Sequence, residues 1–591
     1  MTRRLAGLAS VLALLLCAAC GGLPTPQGVR SAENVQAEQT GSPGLQVLPP
    51  GPREGATAKE LVTGFLDAQS SPEDDYAVAR QFLAPGTEWD PSASALLYRA
   101  GTQDVEAPEP GVARVGLRVV GQISGAGAFS LRDEKVNDDY RIVRDKDGQL
   151  RLSGVPAGVR LADIDRTRSF VPRNVYFLGL PAPGESTPHL VADRVFQLST
   201  ADPARALVQA LLSGPTAALN PPGQSGAVET AVPPGTRLRG VAVRDNVVRV
   251  DLSREVLTLD ATGRQRLSAQ LVWTLLPAYR GVELLVEGKP LPVSGTGAVQ
   301  VRDDWAAYGP SGLGPDAPLL YVAGRRLRML DGQLPASDVT GADGIPVDRA
   351  ALAPGQRALG VLTDGAGAAP DVVRTGPVTG PFTEALSEPG LTSLTWGSGG
   401  WGLWLLQAGR DPLVRDPLIW LAPGPGAPPT ARARTIDYEP PPGAGPLAAI
   451  VASRDGARMA MVFGVGTARR LYVGRIELSG GRPVVRRVLA VAPAMTGVVD
   501  VAWESDTSLV AFGSLKPTSE VLGLRVAIDG SSLTPLNTSG LPTGGAISIA
   551  AAPDDNPLVV GVDVGGKRSL YRPRDGLFVD EGPGTAPFYP G

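Results

Sequence analysis

The spacing of apolar residues changes three times along this chain. Thr57-Ala-Lys-Glu60 has the spacing of a capping box and precedes Leu61, Val62, Phe65 and Leu66, which share one face of a helix. A second short helix follows, with Asp74 and Asp75 near its start, apolar positions at Tyr76, Val78, Ala79, Phe82 and Leu83, and Pro85-Gly86 as its stop. The period then drops to two: residues 112–123 and 140–152 predict strands, the latter stretch turning at Asp147-Gly148. Residues 53–165 therefore predict an α+β domain, two helices ahead of a curved antiparallel sheet.

The second stretch, 170–295, mixes both periods. Residues 174–178 and 190–196 predict strands. Asp202-Pro203 opens a helix as N-cap and first turn, Leu207, Val208, Leu211 and Leu212 form its apolar stripe, and Gly214-Pro215 stops it. Residues 238–243 and 247–252 pair across the tight-turn dipeptide Asp245-Asn246. Residues 263–276 form a helix with Leu267, Leu271 and Leu275 one turn apart, and 282–286 is a last strand. Gly214 and Gly235 suit turns, and Asp251 suits a hydrogen bond to a neighbouring loop.

From 315 to 591 the helical period disappears. Ile450-Val-Ala-Ser-Arg-Asp-Gly456 leads into 457–463, Val501-Ala-Trp-Glu-Ser-Asp506 into 508–512, and Ile549-Ala-Ala-Ala-Pro-Asp-Asp555 into 557–562. Each unit is a strand, a small-polar-Asp turn and a second strand, repeating at a step of about 50 residues. Leu394-Thr-Trp-Gly-Ser398 with 401–406 fits one step earlier, and 319–330 fits the first unit. Units that bury their faces only against neighbours predict an all-β propeller of five or six blades, the alternative being an irregular β-sandwich. The whole chain thus predicts a multidomain protein: α+β, then α/β, then all-β.

Composition sharpens this picture. Gly (74) and Pro (56) together make about a fifth of the 591 residues, as many turns between short strands require. The formal net charge is −4, so there is no basic field to hold a phosphate backbone and no nucleic-acid partner is expected. Only two cysteines occur, Cys17 and Cys20, so no internal disulfide staples the folded part.

Both cysteines end a segment with its own signature. In MTRRLAGLASVLALLLCAAC, Arg3 and Arg4 precede an apolar run over 5–16, and Ala18 and Ala19 precede Cys20. The run suits an export signal and is too short to span a bilayer. Ala-Ala-Cys resembles the lipobox of bacterial lipoproteins, with Cys17 where a Leu is commonest. Cleavage before Cys17 would put bulky Leu16 in the small-residue position. The resemblance implies a signal peptide over 1–19 and a diacylated Cys20; two chains hold a protein stably at a membrane where one is marginal. Residues 20–52 are rich in Gly, Pro, Gln and Ser and predict a flexible tether.

The phrases Ala210-Leu-Leu-Ser-Gly-Pro-Thr216, Val232-Pro-Pro-Gly-Thr236, Val250-Asp-Leu-Ser253, Ala269-Gln-Leu-Val-Trp-Thr274 and Glu287-Gly-Lys-Pro290 resemble the GerMN domain of envelope proteins, which implies an α/β fold and no catalytic residues. Around 230–236 a ligand or wall-polymer contact is an alternative to a purely structural turn. The first domain is similar in element order to the nuclear-transport-factor-like folds, and the Ser-Arg-Asp-Gly turn resembles the Ser-Pro-Asp-Gly turn of propeller repeats, in which the Asp forms the turn.

Catalytic chemistry is poorly provided for. The chain has one histidine, His189, read as a surface residue at a strand edge, and no Gly-x-Ser-x-Gly elbow or Walker loop accompanies it. A zinc site lacks ligands, so no metal and no cofactor are expected. Glu73, Asp74 and Asp75 are read as a solvated helix start rather than the lining of a cone, although two carboxylates suffice for a glycosidase. Trp396, Trp401 and Trp404 are either blade core or a platform for a glycan.

Lipobox, α+β region, GerMN domain and propeller, in that order, resemble the actinobacterial LpqB lipoprotein family. The resemblance implies a cell-membrane lipoprotein on the extracytoplasmic face, lipid-anchored through Cys20, that is no enzyme. It also implies an accessory role beside the extracellular domain of a sensor histidine kinase of the MtrA–MtrB two-component type, in envelope homeostasis. The rival expectations are a binder of peptidoglycan or another cell-wall polymer and a carboxylate-based hydrolase.

Overall fold

A computed structural model describes residues 49–180, 187–310, 313, 314, 316–330, 344–356, 358–397, 402–408, 416–422, 433–515, 520–553 and 555–591. The signal segment, Cys20 and residues 21–48 of the tether lie outside them, as does Trp401.

In the first domain the capping box forms. Thr57 Oγ1 accepts from the Glu60 amide (3.2 Å) and Glu60 Oε2 accepts from the Thr57 amide (2.8 Å), opening helix α1 (Ala58–Ala68). Helix α2 (Glu73–Arg80) follows, ending before Phe82, which is nevertheless buried. Strands β1 (Ser94–Tyr98), β2 (Asp104–Glu109), β3 (Val112–Ser124), β4 (Phe129–Arg144), β5 (Leu150–Gly154) and β6 (Val159–Ala162) form one sheet in the order β5-β4-β3-β1-β6, with β2 also on β3. Sequence reasoning missed the first half of β4. Its Arg132-Asp-Glu-Lys135 run is exposed and lacks an apolar alternation, and it is held instead by its ladder to β3 and by the Arg118–Asp133 pair across it. Helix α1 lays Leu61, Phe65 and Leu66 on the sheet's inner face, where Phe65 meets Trp89 and Tyr140 edge-on.

The second domain carries strands β7 (Phe170–Gly179), β8 (Leu190–Leu198) and β9 (Val228–Glu229) in one sheet, ordered β8-β7-β9. A second sheet holds β10 (Leu238–Arg244), β11 (Val247–Leu252), β12 (Gly281–Val286), β13 (Lys289–Pro290) and β14 (Val299–Gln300). Helix α3 (Pro203–Ser213) is capped by Asp202, whose Oδ1 accepts from the Ala204 and Arg205 amides, and Gly214 ends it at φ 85°. The β10–β11 turn has Asp245 and Asn246 at φ 50° and 60°, the left-handed pair a tight hairpin needs. Helix α4 (Ala261–Leu275) starts two residues before the expected position because the Asp260 carboxylate accepts from the Gly263 amide and caps it. This helix is the crossover between β11 and β12, which pair in parallel. Val208, Leu211, Leu271, Val250 and Leu284 form the core. Phe170 and Phe196, at the far ends of β7 and β8, pack instead into the first domain's core, and the Phe196 amide donates to the Gly127 carbonyl of the β3–β4 hairpin.

The C-terminal half is a ring of six sheets among the described residues. Blades 2 to 6 are four-stranded meanders whose innermost strands are Arg349–Leu352, Leu391–Trp396, Leu447–Ala452, Thr496–Ser505 and Ala546–Ala550. Blade 1 pairs Leu320–Ala323 and Arg326–Met329 with Thr585–Phe588, so its innermost strand comes from the other end of the chain. These six inner strands neighbour one another in sequence around the ring. Blade 2 was not legible: Arg349–Leu352 and Leu359–Thr363 are joined through Pro354 and Gly355 rather than by a small-polar-Asp turn. Replacing Phe65 by Ala should cost about 3–5 kcal/mol, read as a lower denaturant midpoint with an unchanged slope, since the surrounding aromatic cluster cannot collapse into the space.

Candidate functional site

The propeller axis is the place where most of the fold converges. Inner-strand side chains pointing to the axis are small, among them Ala351, Ser393, Ala449 and Ser548, and they leave a funnel of 540 Å³. Its mouth lies where the inner strands begin. There Arg325 pairs with Asp348 (2.5 Å), Arg349 with Asp364 (3.0 Å) and Arg568 with Asp563 (2.8 Å). Deeper, Asp500 is partly buried, and its two oxygens accept from the Val501 (2.9 Å) and Ile549 (2.8 Å) amides, tying blade 5 to blade 6. Burial pushes its carboxyl up to about 6 against those two donors.

The opposite end is closed by the Ser453-Arg-Asp-Gly456 turn. Gly456 sits at φ 73°, and Asp455 Oδ1 accepts from Ser453 Oγ (2.5 Å) and the Ala457 amide (3.0 Å), so this Asp forms the turn as expected. The preceding Arg454 points along the axis. Its Nε donates to the Pro590 carbonyl (3.0 Å), Nη1 to that of Trp503 (2.9 Å) and Nη2 to that of Ala551 (2.8 Å). One side chain from blade 4 thereby holds blade 5, blade 6 and the closing segment. Burial lowers its pKa to about 10, opposed by Asp506 and Tyr589, so it stays charged at neutral pH.

The second domain covers this closed end. Arg458 donates to Asp455 (3.1 Å) and across the interface to the Ala192 carbonyl of β8 (2.6 Å). Tyr176 of β7 donates its hydroxyl to Asp506 (3.3 Å). Arg475, paired with Glu477, reaches the Ala218 carbonyl (3.2 Å), and Arg487 reaches that of Ala217. Farther out Arg166 donates to the Ser531 carbonyl (3.0 Å) and Arg194 lies 3.3 Å from Asp529. Asp506 is partly buried. Burial first, then the neighbouring Asp455, push its carboxyl up to about 7, against Tyr176, Arg458 and Arg454.

The other residues singled out in the sequence are dispersed. Trp396 donates its indole N–H to the Ala351 carbonyl of blade 2 (2.7 Å), and Trp503 does the same to Val451 of blade 4 (3.0 Å). Both are ties from one blade to the preceding inner strand. Trp404 is fully buried between blades, so neither it nor Trp396 offers a glycan platform. Asp74 and Asp75 are exposed, Glu73 accepts from Ser71 Oγ (2.6 Å), and Asp75 pairs with Arg80. His189 is half-buried, with Nδ1 3.0 Å from the Gly309 carbonyl. Gly235 forms its turn at φ 82°, and Asp251 accepts from the Gly288 amide (2.9 Å). Among the described residues no group of three or more His, Cys, Asp or Glu is placed to hold a metal, and no helix is long and apolar enough to cross a membrane. Sequence reasoning missed Arg454 and Asp506. The available signal was Arg454 itself, standing where the resembling propeller turn has Pro.

Two variants test this geometry. Arg454→Met strands three buried carbonyls and should destabilise the chain by about 3 kcal/mol or more, seen as an earlier loss of Trp503 near-UV dichroism on heating. Between pH 3.8 and about 7 the folded Asp506 keeps a proton that the unfolded chain has released, so its contribution favours folding at low pH and is lost as pH rises to 7. Asp506→Asn should flatten that part of the stability–pH curve, measured by denaturation at a series of pH values.

The family model described as the N-terminal domain of lipoprotein LpqB matches residues 51–166, one described as sporulation and spore germination matches 174–292, and one described as the LpqB beta-propeller domain matches 326–590. The chain is 27% identical to lipoprotein LpqB of Streptomyces coelicolor over 98% of its own length and 96% of the relative's. It is 26% identical to that of Thermobifida fusca over 98% and 97%. Among solved structures it is similar to TolB of Acinetobacter baumannii (11% identity, 71% of this chain and 99% of that one, TM-score 0.36). It is also similar to the first GerMN domain of the sporulation protein GerM of Bacillus subtilis (20%, 22% and 98%, 0.19). With two LpqB domain models flanking a germination-type domain, and relatives of that name matched end to end, the chain belongs to the LpqB family of lipoproteins.

Proposed function

We propose that this chain is anchored through Cys20 to the extracytoplasmic face of the cell membrane and acts as an accessory of a sensor histidine kinase of the MtrA–MtrB type. The end-to-end match to LpqB lipoproteins carries this reading. The sequence of residues 1–20 supports the anchor, and residues 20–52 supply the tether. The packing supports a contact role over a catalytic one. The carboxylates of the axis are engaged: Asp348, Asp364 and Asp563 in ion pairs, Asp500 by backbone amides, Asp455 in its turn. The second domain occupies one end of the propeller axis, which leaves the funnel mouth, rimmed by alternating Arg and Asp, as the axial surface for a partner. Regulation requires that this surface bind two kinase states with different affinity; a difference of about 1–3 kcal/mol shifts their balance by roughly 5- to 150-fold.

A second reading is favoured by the funnel's 540 Å³, which suits a fragment of cell-wall glycan. One experiment addresses both: crosslinking in living cells followed by mass spectrometry of captured partners, comparing the native chain with Cys20→Ala. Recovery of a histidine kinase by the native chain and its loss with the variant is the expected result. Capture of wall material without kinase would replace the regulator with the glycan binder.

A further inference from the structure

Two carboxyl groups meet in unequal settings where the second domain seats on the closed end of the propeller. Asp455 is buried and receives three donors: Ser453 Oγ (2.5 Å), the Ala457 amide (3.0 Å) and Arg458 Nη1 (3.1 Å). Asp506 is partly buried, and among the described residues one donor reaches its carboxyl, the Tyr176 hydroxyl at 3.3 Å. That donor belongs to the second domain, so this hydrogen bond exists only while the domain is seated.

The cations beside Asp506 are turned elsewhere. Arg454 spends Nε, Nη1 and Nη2 on three carbonyls, and Tyr589 is its other titratable neighbour. Arg458 spends Nη1 on Asp455 and Nη2 on the Ala192 carbonyl. From the second domain, Asp193 faces Arg458, but its oxygens are taken by the Thr216 amide (2.6 Å) and hydroxyl (2.9 Å), and Arg302 acts on Tyr176. A carboxylate with one long hydrogen bond beside a second carboxylate holds its charge poorly. Burial, then Asp455, push the Asp506 carboxyl up to about 7, against Tyr176, Arg458 and Arg454. Burial, then Asp506, hold the Tyr176 phenol far above its ordinary value, so it remains a donor. A cavity of 10 Å³, about the room one water molecule needs, touches Asp455, Asp506 and Ser505 and gives a proton a way in.

Unseating the second domain would open Asp506 to water and return its carboxyl toward the ordinary 3.8. Between pH 3.8 and about 7 the seated form therefore holds a proton that the open form has released. Seating weakens as pH rises through that window, by up to about tenfold per pH unit, and levels off above it. The peripheral ties from Arg475, Arg487 and Arg166 end on carbonyls and do not involve this proton.

We propose that Asp506 is a proton-operated latch between the second domain and the propeller. Protonated, it lets β7 and β8 seat on the closed end; ionised, it loosens the axial contacts of Tyr176 and Arg458 while the peripheral arginines keep the domain attached. The chain stays folded in both forms, and the latch depends on neither a kinase partner nor the membrane anchor.

The test is hydroxyl-radical footprinting of the full chain at pH 5, 6, 7 and 8, read by mass spectrometry. Tyr176 is 6% exposed when seated, and Tyr140, in the first domain's core, is 1% exposed and reports global unfolding. Modification of Tyr176 should rise severalfold from pH 5 to pH 8 while that of Tyr140 stays level. Asp506→Asn, which cannot ionise, should keep Tyr176 protected at every pH. Tyr176→Phe removes the one donor to the ionised carboxyl and should steepen the rise, read on the ring at that position and normalised to its own value at pH 5. A flat profile in the native chain, an equal rise in Asp506→Asn, or a parallel rise at Tyr140 would overturn the latch.

Discussion

A ring of β-sheets holds only if its last sheet finds its first, and here that step is a backbone ladder between Leu320–Ala323 and Thr585–Phe588. No covalent link assists, since both cysteines of the chain precede residue 21. The entropic penalty of closing so long a loop grows only logarithmically with length, so a short ladder suffices if something else fixes its position. Arg454 does this. Its guanidinium holds the Pro590 carbonyl just beyond the closing strand and the Trp503 and Ala551 carbonyls beside it. Closure also covers the two blade faces that an open array would leave exposed.

The same end of the axis couples ring closure to domain docking. Arg454, Asp455 and Arg458 are buried there and Asp506 is partly so, and taking such charges out of water is costly. Arg458 is compensated partly by its own turn and partly by the Ala192 carbonyl of the second domain; Asp506 is compensated partly by the Tyr176 hydroxyl. Removing the second domain would leave these groups without those partners, and an uncompensated buried charge costs more than the pair contributes. Docking is therefore part of the propeller's own stability. The first domain joins the same body through Phe196 and the Gly127 carbonyl, and through Leu131 lying under Gly530.

Local signals in the sequence were reliable where they were self-contained. Thr57 and Glu60, Asp202 and Pro203, and Asp245-Asn246 each specify a cap or turn through atoms a few residues apart, and each formed as read. The propeller repeat was legible because the strand–turn–strand unit recurs, and Trp396 and Trp503 stand in corresponding strands for the same reason, each tying its blade to the one before. What escaped was non-local. The first half of β4 has no apolar alternation, because its stability comes from its neighbour. The innermost strand of blade 1 lies at the opposite end of the propeller sequence from its partners. Arg454 acts through three carbonyls scattered over the sequence, and Asp506 matters only because a distant tyrosine is folded onto it.

This division of labour bears on how such a body could influence a two-state partner. A ligand or partner shifts an equilibrium only by its difference in affinity for the two states. The second domain is held to the propeller by buried polar and charged groups and the first domain joins through Phe196, Gly127 and Leu131, so the difference has to arise at a surface that remains open. The funnel mouth presents paired charges that offer shape and a patterned rim but little unsatisfied chemistry. That mouth is a fixed face, and any difference in affinity has to come from how the two states of the partner fit its rim.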